Sequence, residues 1–433
     1  MSERLTAAAV AREILLAAIR AVDPRELTQA ALGASAAGLA PKSVELIAIG
    51  KAAVAMAHGA HDAIGGALRG GVVIAPDAVA VVPVGISAFA GGHPWPNEGG
   101  AHGAQAVMEL LRGLTAGSHA IVLISGGASA LSTLPVDGVS LDDMIATSRT
   151  LMEAGADIAE LNCVRKHLDQ LKGGLMARLS NGAEIRALVL SDVIGDPLDV
   201  IGSGPLVPDP TTYGDAIAVL ERRGVWERAP RAVTAHLLAG ARGERIETPK
   251  EGDRCFGNIT IEVIGNNLLA VQGAAGEAMR RNISGEMITT PIAGEARDHG
   301  AAFARHIVGV AASVDRSQPR CVVGGGETTV TVTGNGIGGR NLEFAAAAAL
   351  VIDGARGITI GSIGTDGRDG PTDAAGAIVD GGTAQRARDA GMDLVDHLRA
   401  SDTLRALDVA GAVVRTGPTG TNVADVYVAL ITP

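Results

Sequence analysis

Leu46-Ile47-Ala48-Ile49-Gly50-Lys51, running on into an Ala-rich stretch, decides the fold class of this chain. A short apolar run closed by glycine and followed by helical composition reads as a buried strand, a tight turn and a helix. Val72–Ile74, Val79–Val84, Ile121–Ile124 and Leu188–Leu190 are similar runs, each separated from the next by segments of helical composition. That alternation predicts an α/β fold with a mainly parallel, doubly wound sheet and helices on both faces.

Outward from this centre, Leu5–Val22 carries apolar residues at helical spacing. The longest helical candidate is Leu141–Arg178, interrupted near Asn162 and at Gly173-Gly174. A Pro- and Asp-rich stretch follows at Val207–Thr212, and the polar segment Arg242–Arg254 marks a boundary between domains at 1–245 and 255–433. The second half predicts strands at Ile259–Ile264, near Met287–Thr290, and at Cys321–Gly326, Thr328–Thr333, Ile358–Ile363 and Val426–Ile431. At 433 residues, two domains are the natural expectation.

Bulk properties exclude several functions. Hydrophobic residues make up 47% of the chain but aromatic ones 2%, so the core is expected to rely on Ala, Val, Leu and Ile rather than ring stacking. A formal charge of -11 argues against nucleic-acid or membrane-surface partners, which need a concentrated basic face. Cys163, Cys255 and Cys321 are too far apart for a CxxC motif and odd in number, and read as buried thiols. The N-terminus lacks a signal-type apolar core and no apolar run is long enough to span a bilayer, so the cytoplasm is the expected location. A monomer and a homodimer are equally compatible with the sequence.

The chemistry-bearing residues sit where strands end, which is where ligands bind in open parallel sheets. Lys51 is a mobile positive charge suited to a transferred phosphoryl group. Ser125-Gly126-Gly127-Ala128-Ser129 follows a buried strand and offers backbone amides that wrap an anion. Asp192, after Leu188–Leu190, is placed to accept a proton or approach a metal. Arg165 and Lys172 fall close together on a helical wheel and form an anion-binding candidate, whereas Arg165 and His167 cannot share a face with Lys166. Gly324–Glu327 and Gly334–Arg340 flank a Thr/Val strand as two glycine-rich loops, with Arg340 offering a planar fork for carboxylate or phosphate. Asp366 and Asp369 lie in the acidic loop Gly364–Asp373 and are the metal-proximal candidates. Each has a plainer reading: a solvated lysine at a helix start, a charged helical surface, or a turn with capping carboxylates. Gly334, Gly336 and Gly339 match GxGxxG, but an Ala-rich helical stretch runs directly into Asp353, the acid a dinucleotide fingerprint would place at a strand end.

In order along the chain, Gly50-Lys51-Ala52, Gly92-His93-Pro94, Ser125–Ser129, Val164–His167 with Lys172–Gly174, Ser191-Asp192-Val193, Ser203–Pro205, Gly324–Thr329, Gly339-Arg340-Asn341, Gly364–Ala375 and Pro418–Val423 resemble the glycerate 2-kinase family. The C-terminal part of that family is the MOFRL domain. The resemblance implies a Rossmann-like N-terminal domain, a second α/β domain of MOFRL type, and an active site in the interdomain cleft that uses ATP and Mg2+ to phosphorylate D-glycerate. It makes Lys51, Arg340 and Asp192 the catalytic candidates. Ser125, Gly126, Gly127, Ser129, Gly325, Gly326 and Glu327 become phosphate-binding candidates, and Arg165, Lys172 and Asn341 substrate contacts. Ala128, Ile194, Leu342 and Ala424 depart from the family pattern, where Gly, Pro, Gln and Asn are expected. The rival readings are an NAD(P)H-dependent hydroxypyruvate reductase and a non-catalytic sensor of nucleotides or small acids.

Overall fold

The strand that opens the argument, β1 (Val44–Ile49), is almost wholly buried, as a strand covered on both faces must be. The computed structural model describes residues 6–33, 43–76, 81–313 and 317–433. β1 joins β2 (Leu68–Ala75), β3 (Ile86–Ala90), β4 (His119–Ile124), β5 (Glu184–Leu190) and β6 (Ile259–Gly265) in a sheet ordered β3-β2-β1-β4-β5-β6. β1 to β5 pair in parallel. Chain order reverses between β1 and β4, and such a reversal opens a crevice beyond the carboxyl ends of those two strands.

Ile47, Ile49, Ile74, Val122, Ile124 and Val189 form one face of the core with Val107 and Leu111 of the helix Glu98–Gly113. Each such side chain contributes roughly 1.5–3 kcal/mol when fully buried. Two sequence expectations differ from the structure here. The third strand is Ile86–Ala90, while residues 81–85 are irregular and 79–80 fall outside the described residues. The long helical stretch is broken twice, as expected, into Leu141–Glu153, Ile158–Lys166 and Leu175–Leu179, and the position of one break differs. Its first break falls at 154–157, where Gly155 takes a positive φ and Asp157 caps the next helix, so Asn162 lies inside a helix rather than at a break.

The chain divides into two compact units, one of Pro24–Ile264 and one joining the N-terminal segment up to Asp23 to Gly265–Pro433. This division differs from a boundary in the polar segment Arg242–Arg254. That segment stays within the first unit because β6, which follows it, extends the first sheet beside β5. The N-terminal helix Ala7–Ala21 belongs to the second unit, where Leu15 packs so closely on Gly361 that a Cβ there would collide with it.

The second sheet contains β7 (Ser284–Met287), β8 (Ile292–Glu295), β9 (Arg320–Thr329), β10 (Ile358–Gly364), β11 (Gly376–Asp380), β12 (Val413–Val414) and β13 (Asp425–Ile431). Its order is β12-β11-β10-β13-β9-β7, with β8 also on β9. β13 pairs antiparallel with both β9 and β10, whereas β7 and β8 run parallel to β9. The strand expected at Met287–Thr290 therefore ends at Met287. The two strands expected at Cys321–Gly326 and Thr328–Thr333 are one continuous β9, and residues 330–333 are irregular.

Helix Arg340–Val351 is buried all round from Asn341 to Ala349, and its alanines let the neighbouring helix Ala296–Ser313 approach until Gly300 lies against the Phe344 carbonyl. Three of the scarce aromatics meet in this core. Phe344 and Tyr427 stack at 4.2 Å with an interplanar angle of 17°, and Phe303 leans on both, so ring stacking contributes despite the composition. Among the described residues no helix is long and apolar enough to cross a membrane.

Ala424, immediately before β13, is buried at φ +66°, a region that penalises a Cβ. Its carbonyl is fixed by the Thr365 amide at 3.0 Å and hydroxyl at 2.7 Å, so the conformation cannot relax. Replacing Ala424 with Gly is expected to raise stability by about 1 kcal/mol in a denaturant melt. An unchanged or lower stability would show that no strain is held there.

Candidate active site

At the switch point the ends of β1 and β4 are bound directly to one another. The Ser125 amide donates to the Ile49 carbonyl and the Lys51 amide to the Gly126 carbonyl, both at 2.9 Å. The Ser125 hydroxyl accepts from the Ala52 amide at 3.0 Å, capping a helix whose own N-cap residue, Ala52, has no polar side chain. Gly50 makes this approach feasible. Its φ is +131°, and a Cβ would overlap the hydroxyl and carbonyl oxygens of Ser125. Lys51 is thereby presented at the sheet edge. The Gly126 and Gly127 amides donate to no main-chain acceptor among the described residues, which leaves two successive donors beside it. Ser125 itself serves as a helix cap.

Asp192 stands after β5 at the same edge. Burial raises its carboxyl above the usual range, and the positive charge of Lys51 works against that rise. His93 lies against Gly127, where an added Cβ would come 2.9 Å from its ring. Its pKa is lowered by burial and then by Lys51. Lys51 thus acts electrostatically on both Asp192 and His93. Ser129 bonds Ser203 at 2.9 Å, and Ser203 donates to Asn162 at 3.0 Å, tying the β4 loop to the segment beyond β5.

Arg165 and Lys172, expected to lie together, line one cleft with Ser129, Ser148 and Trp95. Their environments differ. Lys172 is buried and ion-paired to Asp169 at 2.5 Å, and it also donates to the Ser132 carbonyl. Among the described residues Arg165 has only the Ser148 hydroxyl, at 3.4 Å, and burial lowers its pKa with no acid among them to oppose that effect. An uncompensated guanidinium in a cleft is a ready anion site. Lys166, on another face of the helix, turns inward to Asp209 at 3.3 Å.

In the second unit, Arg340 starts its helix and is gripped by Asp425 through two bonds of 2.7 and 3.0 Å, with Glu327 at 3.1 Å. Burial disfavours the Arg340 charge and Asp425 more than restores it. Asn341 is fully engaged: its amide nitrogen donates to Asp425 at 3.0 Å and its oxygen accepts from Ser362 at 2.6 Å. Asp369, only 1% exposed, accepts the amides of Asn341 at 3.0 Å and Leu342 at 2.8 Å. It caps the helix from a distant loop, because the N-cap residue Gly339 has no side chain and leaves room for the carboxylate. Desolvation pushes Asp369 up to about 7, against the pull of the two amides. Asp366 is partly exposed and accepts the Arg368 amide at 3.0 Å.

Gly325 and Gly326 do not form a loop. They sit within β9, opposite Val426 and Asp425, where a Cβ on Gly325 would strike Asn267 and one on Gly326 would strike the Ile292 backbone. The glycines are there for close packing between strand, helix and β8. Sequence reasoning passed over Asp425, whose position as the first residue of an apolar strand was its only signal. It also passed over Asp169, the counter-ion of Lys172.

Residues 10–238 match the family described as a domain of unknown function, DUF4147, and residues 320–425 match the MOFRL family. A D-glycerate 2-kinase from Thermotoga maritima is 42% identical over 391 residues, which are 90% of each chain. A glycerate 2-kinase from Pyrococcus horikoshii is 40% identical across 90% of this chain and 87% of its own. A crystal structure of a glycerate kinase from Thermotoga maritima superposes with a TM-score of 0.88 at 40% identity, covering 98% of this chain and 99% of that one. By sequence and by structure, this chain belongs to the glycerate 2-kinase family.

Proposed function

We propose that this chain transfers the γ-phosphoryl group of ATP to the 2-hydroxyl of D-glycerate, giving 2-phosphoglycerate and ADP. The observation that carries the reading is Lys51, delivered by the Gly50–Ser125 contact to the switch point, beside two successive amides and a carboxylate whose proton affinity it modulates. In the transfer, the substrate oxygen forms its bond to the γ-phosphorus as the bond to the β-γ bridging oxygen breaks. The electron pair leaves with ADP. Asp192 takes the hydroxyl proton, and Lys51 with the Gly126 and Gly127 amides stabilises the charge spread over the phosphoryl oxygens.

Arg165 is the assigned contact for the glycerate carboxylate, since it is the cleft cation with no counter-ion among the described residues. Arg340, within the second unit, is held in one orientation by Asp425. Asn341 supports that orientation rather than touching substrate. Among the described residues, no group of three or more His, Cys, Asp or Glu forms a metal cage, and Asp369 does not fit as a ligand because both its oxygens take helix amides. Asp366 would hold magnesium that arrives with the nucleotide, and the ion, when bound, neutralises charge on the β- and γ-phosphates. The cytoplasm, expected from the sequence, is the location proposed with this reading. The reductase reading loses its motif. Residues 330–338 are irregular chain, and Gly339 is the N-cap of a buried helix, so GxGxxG does not form a tight strand-to-helix turn.

Purified protein given ATP, Mg2+ and D-glycerate is expected to form ADP, and its product to pass directly through enolase. No ADP above the glycerate-free control would refute the proposal, and accumulation of 3-phosphoglycerate would refute its regiochemistry. Lys51→Ala should fold normally and lose about 10²–10³ in kcat; near-normal turnover would remove Lys51 from the chemistry.

Arg165→Met should raise KM for D-glycerate by about 10- to 100-fold while leaving KM for ATP close to wild type. An equal rise in both would deny Arg165 the carboxylate. Because burial raises the Asp192 pKa, log kcat/KM should fall as pH drops through a value above the ordinary carboxylate range. The residual activity of Asp192→Asn should lack that acid limb, and its persistence would assign the proton to another group.

A further inference from the structure

Ser203 is fully buried at φ +61°, between Gly202 and Gly204 at the same angle. That backbone region suits glycine and penalises a Cβ. The main chain holds it there. Its amide donates to the Val200 carbonyl and its carbonyl accepts the Gly173 amide, both at 2.9 Å. What a serine adds to a third glycine at this point is its hydroxyl, which lies between Asn162 at 3.0 Å and Ser129 at 2.9 Å.

The direction of each proton in this chain of bonds follows from its far end. The Val200 carbonyl can only accept, so the Asn162 amide nitrogen faces it at 3.4 Å and the Asn162 oxygen faces Ser203. That oxygen takes the single Ser203 proton. Ser203 then accepts from Ser129, whose own proton is committed inward. Ser129 therefore offers lone pairs, not a proton, to the cleft it lines with Arg165 and Lys172. Those two cations can only donate. A phosphate oxygen needs a donor, which Ser129 so oriented is not, whereas a substrate hydroxyl needs an acceptor.

We propose that Ser129 is a specificity-determining residue that accepts a hydrogen bond from the 3-hydroxyl of D-glycerate, and that Ser203 and Asn162 are the positioning residues that aim it. The inference rests on the kinase reading and on Arg165 as the carboxylate contact. With the carboxylate on Arg165 and the 2-hydroxyl proton passing to Asp192, the 3-hydroxyl is the donor left for Ser129. D-Lactate keeps the carboxylate and the 2-hydroxyl but carries a methyl group at that carbon. A site that hydrogen-bonds a substrate hydroxyl disfavours an analogue without it, because the acceptor is left unpaired.

Glycerate-dependent ADP formation by the full chain is measured with D-lactate as a competitive inhibitor. In the wild type the Ki of D-lactate should exceed the KM for D-glycerate by about tenfold or more. Ser129→Ala should raise the KM for D-glycerate by about tenfold, while the Ki of D-lactate and the KM for ATP stay within about twofold. Ser203→Gly, which suits the local backbone, should give the same split. A smaller folded population would lower kcat and leave both constants unmoved. The inference is overturned if Ser129→Ala raises KM and Ki by the same factor, raises the KM for ATP instead, or changes none of them. It is also overturned if Ser203→Gly leaves the KM for D-glycerate unchanged, or if the wild type binds D-lactate as tightly as D-glycerate. No glycerate-dependent ADP from the wild type overturns the kinase reading and this inference together, whereas a missing split in an active enzyme overturns this inference alone.

Discussion

Contact between the Gly50 backbone and Ser125 is the constraint on which the first unit's chemistry depends. Two parallel strands from distant parts of the chain end side by side, and their following loops must cross without collision. Only a residue lacking Cβ lets the β1 turn press against the β4 loop, and the Ser125 hydroxyl then starts the helix after Lys51. The same approach fixes the Lys51 backbone to the Gly126 carbonyl, while the Gly126 and Gly127 amides have no main-chain acceptor among the described residues. A packing requirement and an electrostatic one are therefore met by one contact. Positive charge and amide dipoles held in place before reaction need little reorganisation when charge develops, which is the main means by which such sites accelerate phosphoryl transfer.

The second unit solves a different problem, that of holding ionised groups in a nearly dry core. Arg340, Asn341, Asp369 and Asp425 form one network in which each carboxylate is matched by a guanidinium, an amide or a helix terminus. Such matching offsets the desolvation of the charges and makes the network intolerant of partial loss. Arg340 is left with a single orientation, and its further bond to Glu327 lies on its partly solvent-facing edge. The strained backbone at Ala424 sits directly before Asp425, so the chain accepts local strain where it positions the most buried acid of the network.

Much of this architecture was legible in the chain. Buried parallel strands are short apolar runs, and β1, β2, β4 and β5 each overlap the run that announced them. The misplaced third strand, Ile86–Ala90, is less apolar and only partly buried, so its pattern lost to the Val-rich stretch before it. β9 was read as two strands with a glycine loop because glycine is punctuation in most contexts. Here Gly324–Gly326 are strand residues whose missing side chains admit Asn267 and β8. The N-terminal helix gave no sign of its destination, because an amphipathic face specifies burial and not the partner that buries it.

By itself the sequence determined the α/β class, the strand ends that carry Lys51, the Ser125–Ser129 loop and Asp192, and the family. These depend on local periodicity and on motif order, both of which are properties of the chain read in one direction. Tertiary structure alone decided which charges are already satisfied. Asp369 reaches the helix start at Asn341 from 28 residues away and Asp425 reaches Arg340 from 85, while Arg165 has no acid beside it among the described residues. Pairing of that kind is set by sheet register and loop approach, which no local pattern encodes, and it separates a cation that holds the fold from one able to hold a ligand.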